Sequence, residues 1–206
     1  MNDSNEDTAR STSPRALPDR EVSAALAAEL ASGLVATRRT LDGIVRSATV
    51  DLFRDFGLAI APLERWQAAA DQCRYQASVA VIDFDSCSLT GTLTLSLSSA
   101  VFPLIHGLQR NRAARGDCLR ELTNQLMGRV QSRLMRHQVT LDCGLPSTIN
   151  GAVLATQRKC TTARRTYVFR PLHGEIVVTF DAPLEGTTLV YSSAISLPAE
   201  GEMTWF

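Results

Sequence analysis

The chain has 206 residues, 45% of them apolar and 20% charged, and its formal net charge at pH 7 is zero. That length suits one domain plus an extension, and the balanced charge gives no long-range steering toward nucleic acid or an anionic membrane. Five cysteines, an odd number without a CxxC spacing, and three scattered histidines argue against a secreted disulfide framework and a zinc site.

Residues 1–20 are rich in Ser, Asp, Asn, Pro and Arg, the composition of a disordered tail. The first residues lack the basic and apolar parts of a signal peptide and no apolar run reaches spanning length, so a cytoplasmic location is expected. From about Asp19 to Arg38 the chain turns Ala- and Leu-rich, with Val22, Leu26, Leu30 and Leu34 at four-residue steps. This reads as an additional N-terminal helix over 21–40, packed on its own domain or against a second copy. A second helix follows near Leu41 to Phe56, with Leu41, Ile44, Ala48 and Leu52 on one side and Gly57 as its stop. It opens the main domain, 41–206.

The period then changes. Ala77 to Phe84 and Leu89 to Leu97 alternate apolar with small or polar residues around the turn Asp85-Ser86-Cys87-Ser88, which predicts a hairpin with one face on a core and the other partly wet. Asp83 and Asp85 have strand spacing but no further ligands, so they read as a strand end and no metal is assigned. Ser99 is placed to cap a short helix that includes His106, and Gln109 to Gly116 reads as an Arg-bearing loop.

Gly116 to His137 is an amphipathic helix with two unlike faces. Leu119, Leu122, Leu126, Val130 and Leu134 form the apolar stripe, while Asp117, Glu121, Asn124 and Gly128 share the opposite side. Asp117 is placed to cap the helix start. A solvated face in an arginine-rich chain should carry Arg–Glu pairs; this one carries two acids, a carboxamide and a glycine. A mid-helix Gly costs about 1 kcal/mol relative to Ala, and it lets another surface approach the backbone. If the pattern is coincidental, Glu121 and Asn124 should be buried against the protein itself.

Five β-rich runs follow: VTLDCGLP, INGAVLAT, TYVFRPL, GEIVVTFDA and TTLVYSSAISL. Gly, Pro, Asp or Ser marks most of the breaks between them. The order of elements predicts an α+β fold, two or three helices on an antiparallel or mixed sheet.

Glu121 and Asn124 are poor equipment for an unaided enzyme. A carboxamide does not titrate and cannot serve as a general base, but it donates and accepts at once and so can hold a water at both ends. Such a pair is useful where another molecule supplies electrophile, metal and charge stabilisation.

Asp117-x3-Glu121-x2-Asn124 on a helix, with Gly128 and then Pro146 in the run CGLPSTING, resembles the signature of the CheC/CheX/FliY phosphatases of bacterial chemotaxis. The CheX branch is the nearer, since one such helix is present rather than two. The resemblance implies a CheX-like α+β fold with a mainly antiparallel sheet. It also implies hydrolysis of the aspartyl phosphate of a CheY-like response-regulator receiver domain, in chemotaxis or another two-component circuit. Asn124 would orient the attacking water and Glu121 would pair with the receiver's lysine. Asp117, Gly128 and Pro146 would belong to the receiver-binding part of the motif, with Asp117 and Pro146 as structural members. Mg2+ is expected in the receiver and no cofactor on this chain; a homodimer is expected, with no nucleic acid or membrane partner. The family also contains flagellar-switch relatives without phosphatase activity, so a non-catalytic scaffold that docks a receiver or switch component is the alternative.

Overall fold

The computed structural model describes residues 19–62, 78–105, 112–157, 163–184 and 186–193, with side chains from residue 28 except at 112 and 155–157. Most of the expected tail, Val22 and Leu26 as packing groups, His106, Arg110 and the terminal GEMTWF lie outside the described residues.

Two long helices, α1 (Asp19–Asp55) and α2 (Arg112–Met135), and one short one, α3 (Gly151–Gln157), pack on a seven-stranded sheet. Its strands are β1 (Ala61–Pro62), β2 (Ser78–Asp85), β3 (Gly91–Leu97), β4 (Asp142–Cys143), β5 (Ser147–Asn150), β6 (Arg164–Arg170) and β7 (Ile176–Asp181). The order is β1-β6-β7-β3-β2-β4, with β5 also pairing with β2, and every pairing is antiparallel.

The period-two pattern decides which side chains meet the helices. Ala80, Ile82 and Phe84 of β2, Leu93, Leu95 and Leu97 of β3, and Val178 and Phe180 of β7 are buried in one core with Leu41, Val45 and Leu52 of α1 and the apolar stripe of α2. Val79 and Val81 point the other way, into a small second cluster with Leu154 of α3. The opposite sheet face is drier than the alternation implied, since Thr94, Ser96 and Thr179 are buried too.

Besides the start of α2, four elements differ from the sequence reading. The segments on either side of residue 40 form one helix of 37 residues, about 55 Å long at 1.5 Å per residue. Nothing between Arg38 and Leu41 breaks a helix, and Gly43 is exposed and tolerated within it. Burial along α1 sets in at Thr37; residues 28–33 are exposed, Leu30 among them at 67%. In place of a capped helix after Ser99 there is a 3-10 turn, Phe102–Leu104. The run INGAVLAT divides: β5 ends at Asn150, whose Oδ1 accepts the Ala152 N–H at 2.9 Å and so caps α3. Finally, residues 187–193 form no strand. They act as a strap, with the Thr37 hydroxyl donating to the Thr187 carbonyl at 3.3 Å and the Thr187 hydroxyl donating to the Ser88 carbonyl at 2.5 Å.

Gly57 ends α1 as its sequence position suggests. It adopts φ 75°, and the Leu58 N–H returns to the Phe53 carbonyl at 2.9 Å, closing the last turn. One polar cluster also enters the helix–sheet layer. Asp42 of α1 accepts from the Tyr167 hydroxyl at 2.7 Å and from Arg165 at 3.1 Å. Burial first, and then the Asp42 charge, push the Tyr167 phenol up, so it stays protonated as a donor.

Candidate functional site on the outer face of helix α2

Helix α2 is fixed from three sides. Leu119, Leu122, Leu126, Val130 and Leu134 are buried on the sheet. Along one flank Arg129 pairs with Asp55, and Arg133 reaches Asp51 and Ser47, each at 2.6 Å. Residue numbers fall on α1 as they rise on α2, so the two helices run antiparallel. On the other flank Gln131 donates to the Leu141 carbonyl at 2.8 Å, and Gly116 faces Thr148, whose Cγ2 would lie 4.0 Å from an added Cβ. At its end the Val139 N–H returns to the Leu134 carbonyl, with Gln138 in the left-handed region at φ 61°.

The fourth side is open. Asp117, Glu121, Asn124 and Gly128 are all exposed, as the helical spacing requires, which removes the reading in which this face is buried against the protein. Asp117 is not the cap, because the helix begins five residues earlier at Arg112. Its carboxylate pairs instead with Arg120, one turn on. The Arg- and Ala-rich run before Gly116 is good helix-forming sequence, so residues 112–116, read as loop, belong to α2.

The other three positions differ in how they are held. Glu121 Oε1 accepts from Gln125 Nε2 at 2.8 Å. Asn124 has no hydrogen-bond partner among the described residues. A Cβ added at Gly128 would meet nothing within 4 Å, so the protein's own packing does not require a glycine there. Beneath the face, burial and secondarily the Glu121 charge raise the Cys118 thiol to about 11, which leaves it an unreactive thiol at neutral pH.

Pro146 stands immediately before β5 and fixes entry into that strand. Between the pairs Val81↔Ser147 and Phe84↔Cys143 the edge carries three residues, 144–146, opposite two of β2. The extra residue is a bulge, and Leu145 is 93% exposed on it. Near the start of α2 lies an open groove of about 510 Å³ lined by Ser78, Gly116, Asp117, Arg120, Thr148 and Asn150.

Chemically the face offers one carboxylate held in place, one carboxamide free to turn, and clear backbone one turn further on. Sequence reasoning missed Gln125 and Arg120, which bond the two acids; their one-turn offsets were the available signal. Asp83 and Asp85 accept from the hydroxyls of Thr92 and Thr90. Among the described residues no group of three or more His, Cys, Asp or Glu side chains is arranged to hold a metal ion, and no helix is long and apolar enough to cross a membrane.

No family model and no curated protein matches the sequence. Solved structures do match. A chemotaxis protein CheX from Desulfovibrio desulfuricans superposes with a TM-score of 0.57 at 16% identity over 69% of this chain and 99% of that one. CheX from Vibrio vulnificus gives 0.56 at 11% identity over 69% and 96%. The CheX of a CheX–CheY–BeF3–Mg2+ complex from Borrelia burgdorferi gives 0.54 at 12% identity over 68% and 96%. At these identities the likeness is one of fold, and this chain has the CheX-like α+β fold.

Proposed function

We propose that the protein is a phosphatase that hydrolyses the aspartyl phosphate of a response-regulator receiver domain, with Glu121 and Asn124 as its working pair. The observation that carries the reading is the state of α2's outer face. Among the described residues Asn124 is exposed without a hydrogen-bond partner, Glu121 is exposed one turn away, and a Cβ at Gly128 would meet nothing within 4 Å. The Borrelia structure of the same fold, a complex with CheY, BeF3 and Mg2+, supports a receiver as the partner.

In this reading the receiver supplies the phosphoryl group and Mg2+, and this chain supplies position. Asn124 reaches toward the phosphoryl group and holds a water by its amide and carbonyl ends, in line with the bond to be broken. Glu121 pairs with the receiver's lysine and sets the docking register. Gly128 admits the receiver surface, and the exposed Leu145 extends the footprint as an apolar contact. Asp117 and Pro146 shape the rim, Asp117 through Arg120 and Pro146 through the entry to β5. The chain acts in the cytoplasm as a homodimer.

The test is phosphate loss from phosphorylated receivers with Mg2+, comparing wild type with Asn124→Ala. Acceleration that the substitution abolishes while complex formation persists supports the phosphatase. Complex formation without acceleration by wild type identifies a scaffold instead.

A further inference from the structure

We infer that Gln125 is a positioning residue, which holds the Glu121 carboxylate for a cationic group of the docking partner without cancelling its charge; the inference rests on the role proposed for Glu121. The outer face of α2 carries two acids, and the chain treats them differently. Asp117 is paired with the guanidinium of Arg120 one turn on, so its charge is locally balanced. Glu121 receives a neutral donor, with Gln125 Nε2 at 2.8 Å from Oε1. Among the described residues that is its one hydrogen bond. The same helix carries Arg120, Arg129 and Arg133, so a cation at position 125 would be in keeping with its neighbours. The residue there is an amide.

The choice has a physical consequence. A carboxylate has about four acceptor positions, so one bond to Oε1 leaves Oε2 to accept from an ammonium or guanidinium. Restricting the Glu121 rotamers beforehand removes part of the ordering cost of docking. A charged donor would restrict them as well, but it would compete with the partner's cation. Asn124, one residue before Gln125, has no such tether among the described residues. The face thus combines a fixed charge with a free carboxamide.

The experiment measures the affinity of the full chain for a receiver loaded with BeF3 and Mg2+, and KM and kcat for the phosphorylated receiver. Gln125→Ala should weaken binding about threefold to tenfold, the range expected for one rotamer-rich side chain left to be ordered, and the loss should fall on KM. Gln125→Arg, which keeps a donor but adds charge, should weaken it further. In a Glu121→Ala background, Gln125→Ala should change the affinity no more. Equal affinity for wild type and Gln125→Ala would overturn the inference. So would a Gln125→Arg protein that binds as well as wild type, or a Gln125→Ala effect that survives removal of Glu121. If wild type neither binds nor dephosphorylates any receiver, the functional reading itself fails and the inference falls with it. That result is distinct from an active wild type indifferent to position 125.

Discussion

The two faces of α2 are built from the same helix and obey different rules. On the inner face Leu119, Leu126, Val130 and Leu134 are fully buried and Leu122 is 1% exposed; each fits the sheet beneath it, and burial of each is worth about 1.5–3 kcal/mol. On the outer face Asn124 is unpartnered among the described residues and Gly128 costs the helix about 1 kcal/mol relative to Ala. The fold requires the first set and gains nothing from the second. A position that costs stability and satisfies nothing internal is where a docking function is to be sought.

The largest effect should separate the faces by stability. Leu126→Ala leaves a cavity against the sheet and should destabilise by about 2–5 kcal/mol, read as a shifted denaturation midpoint with an unchanged slope. The protein that remains folded should still bind receivers. If it does not, the faces are not independent.

Gly128 gives the opposite signature. Gly128→Ala should stabilise by about 0.5–1 kcal/mol, since the new methyl meets nothing within 4 Å. Gly128→Gln should keep part of that gain and weaken receiver binding by roughly tenfold, equivalent to about 1.4 kcal/mol. A stabilised variant that binds at full affinity would remove Gly128 from the interface.

A smaller effect marks the seam between the faces. Cys118 is raised to about 11, by burial first and by the Glu121 charge second. Its alkylation should therefore be slow at neutral pH and keep accelerating with pH up to about 11, because the thiolate is the reactive form. Glu121→Gln removes the smaller cause and should shift that profile modestly to lower pH, as followed by mass spectrometry. A profile that does not move would place the carboxylate away from the thiol.

How much of this could be read in the sequence depends on how local the deciding physics is. The α2 stripe, the β2–β3 hairpin and the Gly57 stop follow from periodicity and turn chemistry, and the structure has them. The start of α2 was misplaced because Gly116-Asp117 looks like a helix start, whereas the Arg and Ala residues before it extend the helix. The continuity of α1 was missed because a stripe that changes from exposed to buried near Thr37 looks like two helices. For α3, a short apolar run is ambiguous between strand and helix, and Asn150 as its cap was the overlooked signal. The strap at Thr187 rests on contacts 99 and 150 residues away, which no local pattern encodes. At the site, the spacing gave the outward direction of Asp117, Glu121, Asn124 and Gly128. The bulge that exposes Leu145 comes from two strands sharing β2 as a partner, a matter of register.

The most direct measurement is the rate of phosphate loss from a panel of phosphorylated receivers with Mg2+, for wild type, Glu121→Ala and Asn124→Ala at matched stability. Both substitutions are exposed and should change stability by less than about 0.5 kcal/mol. Wild type should accelerate hydrolysis of at least one receiver. Asn124→Ala should lower that rate by roughly a hundredfold or more, the scale of a lost positioning contact, with binding largely kept, and Glu121→Ala should lower both binding and rate. Acceleration undiminished in both variants would contradict the account, because the chemistry would then lie somewhere other than the outer face of α2.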